Sequence, residues 1–131
     1  QYRLLVVEDN EFNREIAQEI LEEAGFKVEC VNNGEESVKT IMEKPADYYD
    51  AVLMDLQMPI MYGYEAARRI RNLKDPVKSS VIMIALTANA FDEDRAKVMK
   101  AGMNGFVSKP LDIKELFETL GSLLNSGRRK K

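Results

Sequence analysis

Short apolar runs recur five times along this chain, and a stretch of helical period separates each from the next. The runs are Leu4-Leu5-Val6-Val7, residues 28–31, 51–54 and 81–86, and Phe106-Val107. The first, third and fourth are continuously apolar, as strands covered by helices on both faces must be. The second, from Phe26 through Val28 and Cys30, alternates with charged residues and suits a sheet edge. Strand–helix alternation of this kind predicts an α/β fold, a (βα)5 unit whose short right-handed crossovers make a doubly wound parallel five-stranded sheet. With strand one near the centre, strand two on one side and strands three to five on the other, the order is 2-1-3-4-5.

The amphipathic stretches give the helices. The first carries Phe12, Ile16 and Ile20 on one stripe, with Ala17, Leu21 and Ala24 beside it, and closes at Gly25. The second covers about residues 34–43 with Val38, Ile41 and Met42 inward, and the third about 63–72 with Ala67 and Ile70. The fourth, about 92–101, ends at Gly102. The fifth has Asp112 as N-cap, Glu115 three residues on, and Leu111 with Leu116 as a hydrophobic staple. Its inner face is Ile113, Leu116, Phe117, Leu120 and Leu124. Residues 74–80, with Pro76, read as a loop, Tyr48 and Tyr49 as loop or surface aromatics, and Cys30 as a small core residue. The domain is expected over residues 1–125, with 126–131 as a basic tail.

Composition removes whole classes of chemistry. The chain has 131 residues and no His, which excludes a Ser-His-Asp triad, a His-ligated zinc site and a phosphohistidine carrier. A single cysteine closes no intramolecular disulfide and fits a reducing compartment. The formal net charge is −3 although the last four residues are all basic, so the folded part is acidic and does not suggest direct nucleic-acid binding. No apolar run reaches the ~18 residues of a membrane span, and no signal-peptide pattern opens the chain. A cytoplasmic domain is expected, excised from a longer protein because the first residue is Gln1.

Polar residues gather where the strands stop. Strand one ends in Glu8-Asp9, strand three in Asp55, strand four in Thr87 and strand five in Lys109-Pro110. In an open parallel sheet the carboxyl ends of the strands share one edge, and ligands bind there at the switch in strand order. Three carboxylates in one crevice repel one another unless a cation neutralises them. An all-oxygen donor set selects a hard ion, Mg²⁺ or Mn²⁺, which keeps positions open for phosphate oxygens. A lysine and a hydroxyl opposite suit the remaining oxygens. Metal-assisted phosphoryl chemistry with a carboxylate nucleophile follows.

Four ordered motifs carry a resemblance to a known family. Residues 5–10 (LVVEDN), 52–59 (VLMDLQMP), 85–88 (ALTA) and 105–110 (GFVSKP) together resemble a two-component response-regulator receiver domain, over about residues 3–124. The resemblance implies the flavodoxin-like form of the fold and a phosphoacceptor role for Asp55, served by a partner's phosphohistidine. It implies Mg²⁺ held by Asp9, Asp55, the Gln57 backbone carbonyl and, through water, Glu8. Thr87 and Lys109 would bind the phosphoryl oxygens, Phe106 would take the aromatic switch position, and Gln57 and Asn89 would tune the lifetime of the phosphoryl group. Partners would be a histidine kinase or a histidine-phosphotransfer domain, with dimerisation possible through the fourth helix, fifth strand and fifth helix. The stretch 9–16 (DNEFNREI) further resembles receivers at the ends of hybrid sensor histidine kinases.

Each residue has a plainer reading when taken singly: Asp9 as an N-cap or loop residue, Thr87 as a strand-end hydroxyl, Lys109 as a surface charge, Phe106 as a core aromatic. Their joint arrival at one sheet edge favours the receiver. A flavodoxin-like nucleotide binder needs phosphate-cradling glycines after strand one, where Asp9-Asn10-Glu11 stands instead. An aspartate-nucleophile phosphatase resembles an Asp-x-Asp pattern, and position 57 is Gln. A stand-alone receiver acting as phosphate shuttle or sink remains the alternative to a hybrid kinase. Catalysis would be limited to the domain's own phosphorylation and autodephosphorylation.

Overall fold

A computed structural model of the chain describes residues 2–56, 63–87, 92–108 and 113–126, the side chains of 92–94 and 124–126 excepted. Five strands, β1 (Arg3–Val7), β2 (Lys27–Val31), β3 (Ala51–Asp55), β4 (Ile82–Thr87) and β5 (Gly105–Ser108), pair in parallel in the order β2-β1-β3-β4-β5. The continuous apolarity of β1, β3 and β4 has the anticipated cause: their side chains alternate between two buried layers. Leu5, Val7, Val52, Met54, Met83 and Ala85 face one layer, and Leu4, Val6, Leu53, Ile84 and Leu86 the other. The four apolar side chains of β1 are fully buried, each contributing on the order of 2 kcal/mol. β2, half-exposed, forms an edge.

Helices cover both faces. α1 (Glu11–Glu23) and α6 (Ile113–Ser126) pack on the Leu4 side through Ala17, Leu21, Leu116 and Leu120. α2 (Gly34–Glu43), α3 (Gly63–Arg71) and α5 (Asp92–Lys100) pack on the Leu5 side through Ile41, Ala66, Ala67, Ile70 and Val98. Asn10 caps α1 by accepting from the Asn13 amide, and Asn33 caps α2 by accepting from Glu36. Leu111 and Asp112, the expected start of the last helix, lie outside the described residues, as does the side chain of Leu124.

Several sequence expectations need correction. Residues 74–80 are not simply loop: α4 (Pro76–Ser79) forms a single turn, with Asp75 accepting from the Val77 and Lys78 amides and Pro76 supplying a preset first position. Phe12 and Ile16 do not enter the core; they are 68% and 41% exposed, because α1 meets the sheet through its neighbouring Ala17–Leu21 stripe. Met42 is likewise exposed. Phe117 is half-exposed, its ring stacked 5.4 Å from that of Phe26 at the rim rather than beneath the helix. Tyr49 is buried, not a surface aromatic; its hydroxyl donates to Glu29 at 2.7 Å, and Tyr48 donates to the same carboxylate at 3.0 Å. Cys30 is half-buried, and burial pushes its thiol up, which suits a packing residue. No helix among the described residues is long and apolar enough to cross a membrane.

Candidate functional site

Parallel pairing brings the acidic strand ends together. β1 and β3 are neighbours with Val7 opposite Met54, so the residues that follow Val7 and Met54 leave the sheet side by side. Glu8, Asp9 and Asp55 each present a carboxylate oxygen, and these oxygens lie within 4.8 Å of one another. Glu8 and Asp55 are buried, at 4% and 2% exposed, while Asp9 opens to solvent. Like charges at that separation in a partly dehydrated crevice repel strongly, so the arrangement favours a cation. All donors are oxygen, and one carboxylate faces water. That fits a small hard divalent ion which retains some of its own waters.

Backbone bonds hold the acids in place. The Glu8 amide donates to Val31 O at 3.2 Å, continuing the β1–β2 ladder one residue past the strand. The Asn10 amide donates to the Glu8 carboxylate at 3.2 Å. Arg14 Nη1, one turn into α1, donates to the carbonyls of both Glu8 and Asp9, at 2.9 and 3.1 Å. On the β3 side, the Leu56 amide donates to Leu86 O at 3.2 Å. Gly63, the first residue of α3, packs directly against that segment: a Cβ there would sit 2.6 Å from Asp55 O and 3.0 Å from Leu56 Cα. Only glycine permits so close an approach without displacing the acid's backbone.

Thr87 is buried at the end of β4, opposite Ser108 in the β4–β5 register. Phe106, opposite Ala85, is half-buried against the layer that contains α5, and the Arg95 guanidinium carbon lies 4.9 Å from its ring centroid. The structure thus brings together Glu8, Asp9 and Asp55, with Thr87 and Phe106 on the strands toward the β5 edge. Gln57, Asn89 and Lys109 lie outside the described residues. Sequence reasoning missed Arg14 and Gly63. Arg14 stood inside the 9–16 stretch already singled out, and Gly63 had been read only as the start of a helix.

Comparison with known proteins agrees with this frame. A family model described as "Response regulator receiver domain" matches residues 4–121. Hybrid signal transduction histidine kinase L of Dictyostelium discoideum is 38% identical over 123 residues, an alignment that takes in 91% of this chain and 7% of that protein. Histidine kinase 2 of Arabidopsis thaliana is 35% identical over 133 residues, with 88% of this chain and 11% of that protein covered. The chain therefore spans only a small fraction of these relatives' length. The receiver domain of a Pseudomonas aeruginosa sensor histidine kinase, solved with a magnesium ion coordinated in its active-site cleft, is similar with a TM-score of 0.83 and 36% identity, over 95% of this chain and 98% of that one. The receiver domain of a Saccharomyces cerevisiae response regulator, co-crystallised with the histidine phosphotransfer signaling protein upstream of it, is similar with a TM-score of 0.80 and 30% identity, over 92% and 86% of the two chains.

Proposed function

This chain belongs to the response regulator receiver domain family of two-component phosphorelays, and from that membership we propose that Asp55 accepts a phosphoryl group from a phosphohistidine on a partner. The observation that carries the reading is the meeting of Glu8, Asp9 and Asp55 within 4.8 Å at the switch between β1 and β3. An Asp55 carboxylate oxygen attacks phosphorus, the new O–P bond forms as the N–P bond breaks, and the imidazole leaves. Asp9, Asp55, the Gln57 carbonyl and, through water, Glu8 would hold Mg²⁺, or Mn²⁺ in its place. Bound there, the ion would neutralise charge on the phosphoryl oxygens as they approach the carboxylate. Thr87 and Lys109 hold two of those oxygens, and their contribution is positioning and electrostatics.

Once Asp55 carries the group, Thr87 donates to it and moves inward, and Phe106 turns into the space it leaves. Phosphorylation biases an existing two-state equilibrium toward the altered surface of α5, β5 and α6, where two copies could also pair. Gln57 and Asn89 orient the water that later removes the group. The donor docks over α1, where exposed Phe12 and Ile16 lie beyond the helix start that abuts the acids. The similarity to a hybrid signal transduction histidine kinase supports a parent protein of that kind. Intact mass after incubation with a small acyl phosphate tests the reading. One adduct that requires Mg²⁺ and is lost in Asp55→Asn is expected; no adduct, from that donor or from a phosphorylated histidine-phosphotransfer protein, overturns it.

A further inference from the structure

We infer that Arg14 is a positioning residue for the divalent cation: it fixes the backbone from which Glu8 and Asp9 project, and so sets the affinity of the site. This rests on the proposed metal-binding role of the acids. One guanidinium nitrogen, Nη1, carries two hydrogens and bridges two consecutive carbonyls, those of Glu8 and Asp9, at 2.9 and 3.1 Å. Both residues lie between the end of β1 and the start of α1, so the two bonds tie the strand's exit to the helix's first turn. Arg14 can reach them because helical side chains lean toward the helix N-terminus, so a residue one turn in covers the first turn. The Arg14 amide donates to Asn10 O at 2.9 Å, and Asn10 in turn caps the helix and donates its amide to the Glu8 carboxylate. Asn10, Asn13 and Arg14 thus act as one brace, which gives a physical role to the 9–16 stretch.

Two further facts favour positioning over a general structural role. A cation near a helix N-terminus opposes the macrodipole, so arginine is a poor choice there for stability alone. Mg²⁺ also demands near-ideal octahedral geometry, and sites lose affinity steeply when the supports of their ligands are removed.

The sign of the effect separates positioning from simple charge. Removing a positive group held on the backbone of Glu8 and Asp9 should, by Coulomb's law alone, tighten binding of a divalent cation. Loss of positioning should weaken it. The measurement is Mg²⁺ binding by calorimetry on the intact chain, with no phosphoryl donor present, for wild type, Arg14→Ala and Arg14→Lys, alongside urea unfolding of each without metal. The expected result is a Kd about tenfold higher for Arg14→Ala, and a smaller rise for Arg14→Lys, whose ammonium keeps the charge but sits on a shorter, more flexible stem than the guanidinium nitrogen that bridges both carbonyls. Equal or tighter binding by Arg14→Ala overturns the inference. If Arg14→Ala does not fold, Arg14→Lys decides, and wild-type affinity in it overturns the inference. Failure of the wild type to bind Mg²⁺ at millimolar concentration would instead sink the metal-binding reading on which it rests.

Discussion

The two ends of the sheet treat charge in opposite ways. Toward the amino ends of the strands, Arg71 and Glu29, among the described residues, each sit in a set of matched partners. The Arg71 guanidinium donates to the carbonyls of Gly102, Ser79 and Val81 and to Asn104 Oδ1, at 2.6 to 2.9 Å. Asn104 Oδ1 also accepts from the Met83 amide, so one side chain ties the ends of α3, α4 and α5 to β4. Across the sheet, on edge strand β2, Glu29 accepts from Tyr48 and Tyr49 and lies 3.9 Å from Arg3. At the carboxyl ends, by contrast, three carboxylates crowd together. One end holds the fold; the other gathers like charges that a divalent cation can neutralise. Stability and reactivity are assigned to opposite edges of the same five strands.

Substitutions at the two ends should therefore move different observables. Asp55→Asn should abolish the phosphoryl adduct in intact mass yet raise metal-free stability by about 0.5–1 kcal/mol in urea unfolding, since it removes one of three like charges. A clear loss of stability would break the contrast from the reactive side. Arg71→Ala should do the reverse. Stranding several acceptors should cost about 3 kcal/mol of unfolding free energy, while the folded fraction still forms the adduct to the same extent. Abolished phosphorylation in folded Arg71→Ala would show that the two ends are not separate.

Smaller effects sharpen the division. Phe12→Ala combined with Ile16→Ala should slow transfer from a phosphorylated histidine-phosphotransfer protein about tenfold, or ~1.4 kcal/mol. Labelling by a small acyl phosphate, which needs no docking, should stay within twofold, and equal slowing with both donors would argue against an α1 docking face. Glu29→Gln should give the smallest change. Burial works to raise the Glu29 carboxyl, but the Tyr49 and Tyr48 hydroxyls with Lys44 and Arg3 outweigh it and hold the group below its ordinary 4.5. A depressed carboxyl stabilises the fold above its unfolded value and loses that contribution as pH falls through its folded value. The acid limb of the wild-type stability profile below about pH 4.5 should accordingly flatten in Glu29→Gln, with phosphorylation at neutral pH unchanged.

The sheet was legible because its signal is repeated: β1, β3 and β4 each need apolar side chains on both faces, and five runs in order leave few topologies. The acids were legible because they stand where strands end. Orientation within helices was harder to read. On α1 two apolar stripes lie side by side, Phe12–Ile16 and Ala17–Leu21, and periodicity cannot say which meets the sheet. Tyr49 was misread because its partner, Glu29, is twenty residues away in sequence. Arg14 and Arg71 escaped for a more general reason: their partners are mostly backbone carbonyls, present at every position and so invisible in the pattern of side chains.

The pairing of Val7 with Met54 has a consequence for how such a module diversifies. The distance between the acids is inherited from the spacing of two adjacent strands, roughly 4.8 Å, and not from the conformation of a long loop. Outer helix faces can then be rewritten without retuning the chemistry, and α1 already shows residues that the core does not require. A cell that runs many parallel signalling lines can copy this domain, change only the faces that partners touch, and keep each copy reactive while insulating it from its siblings.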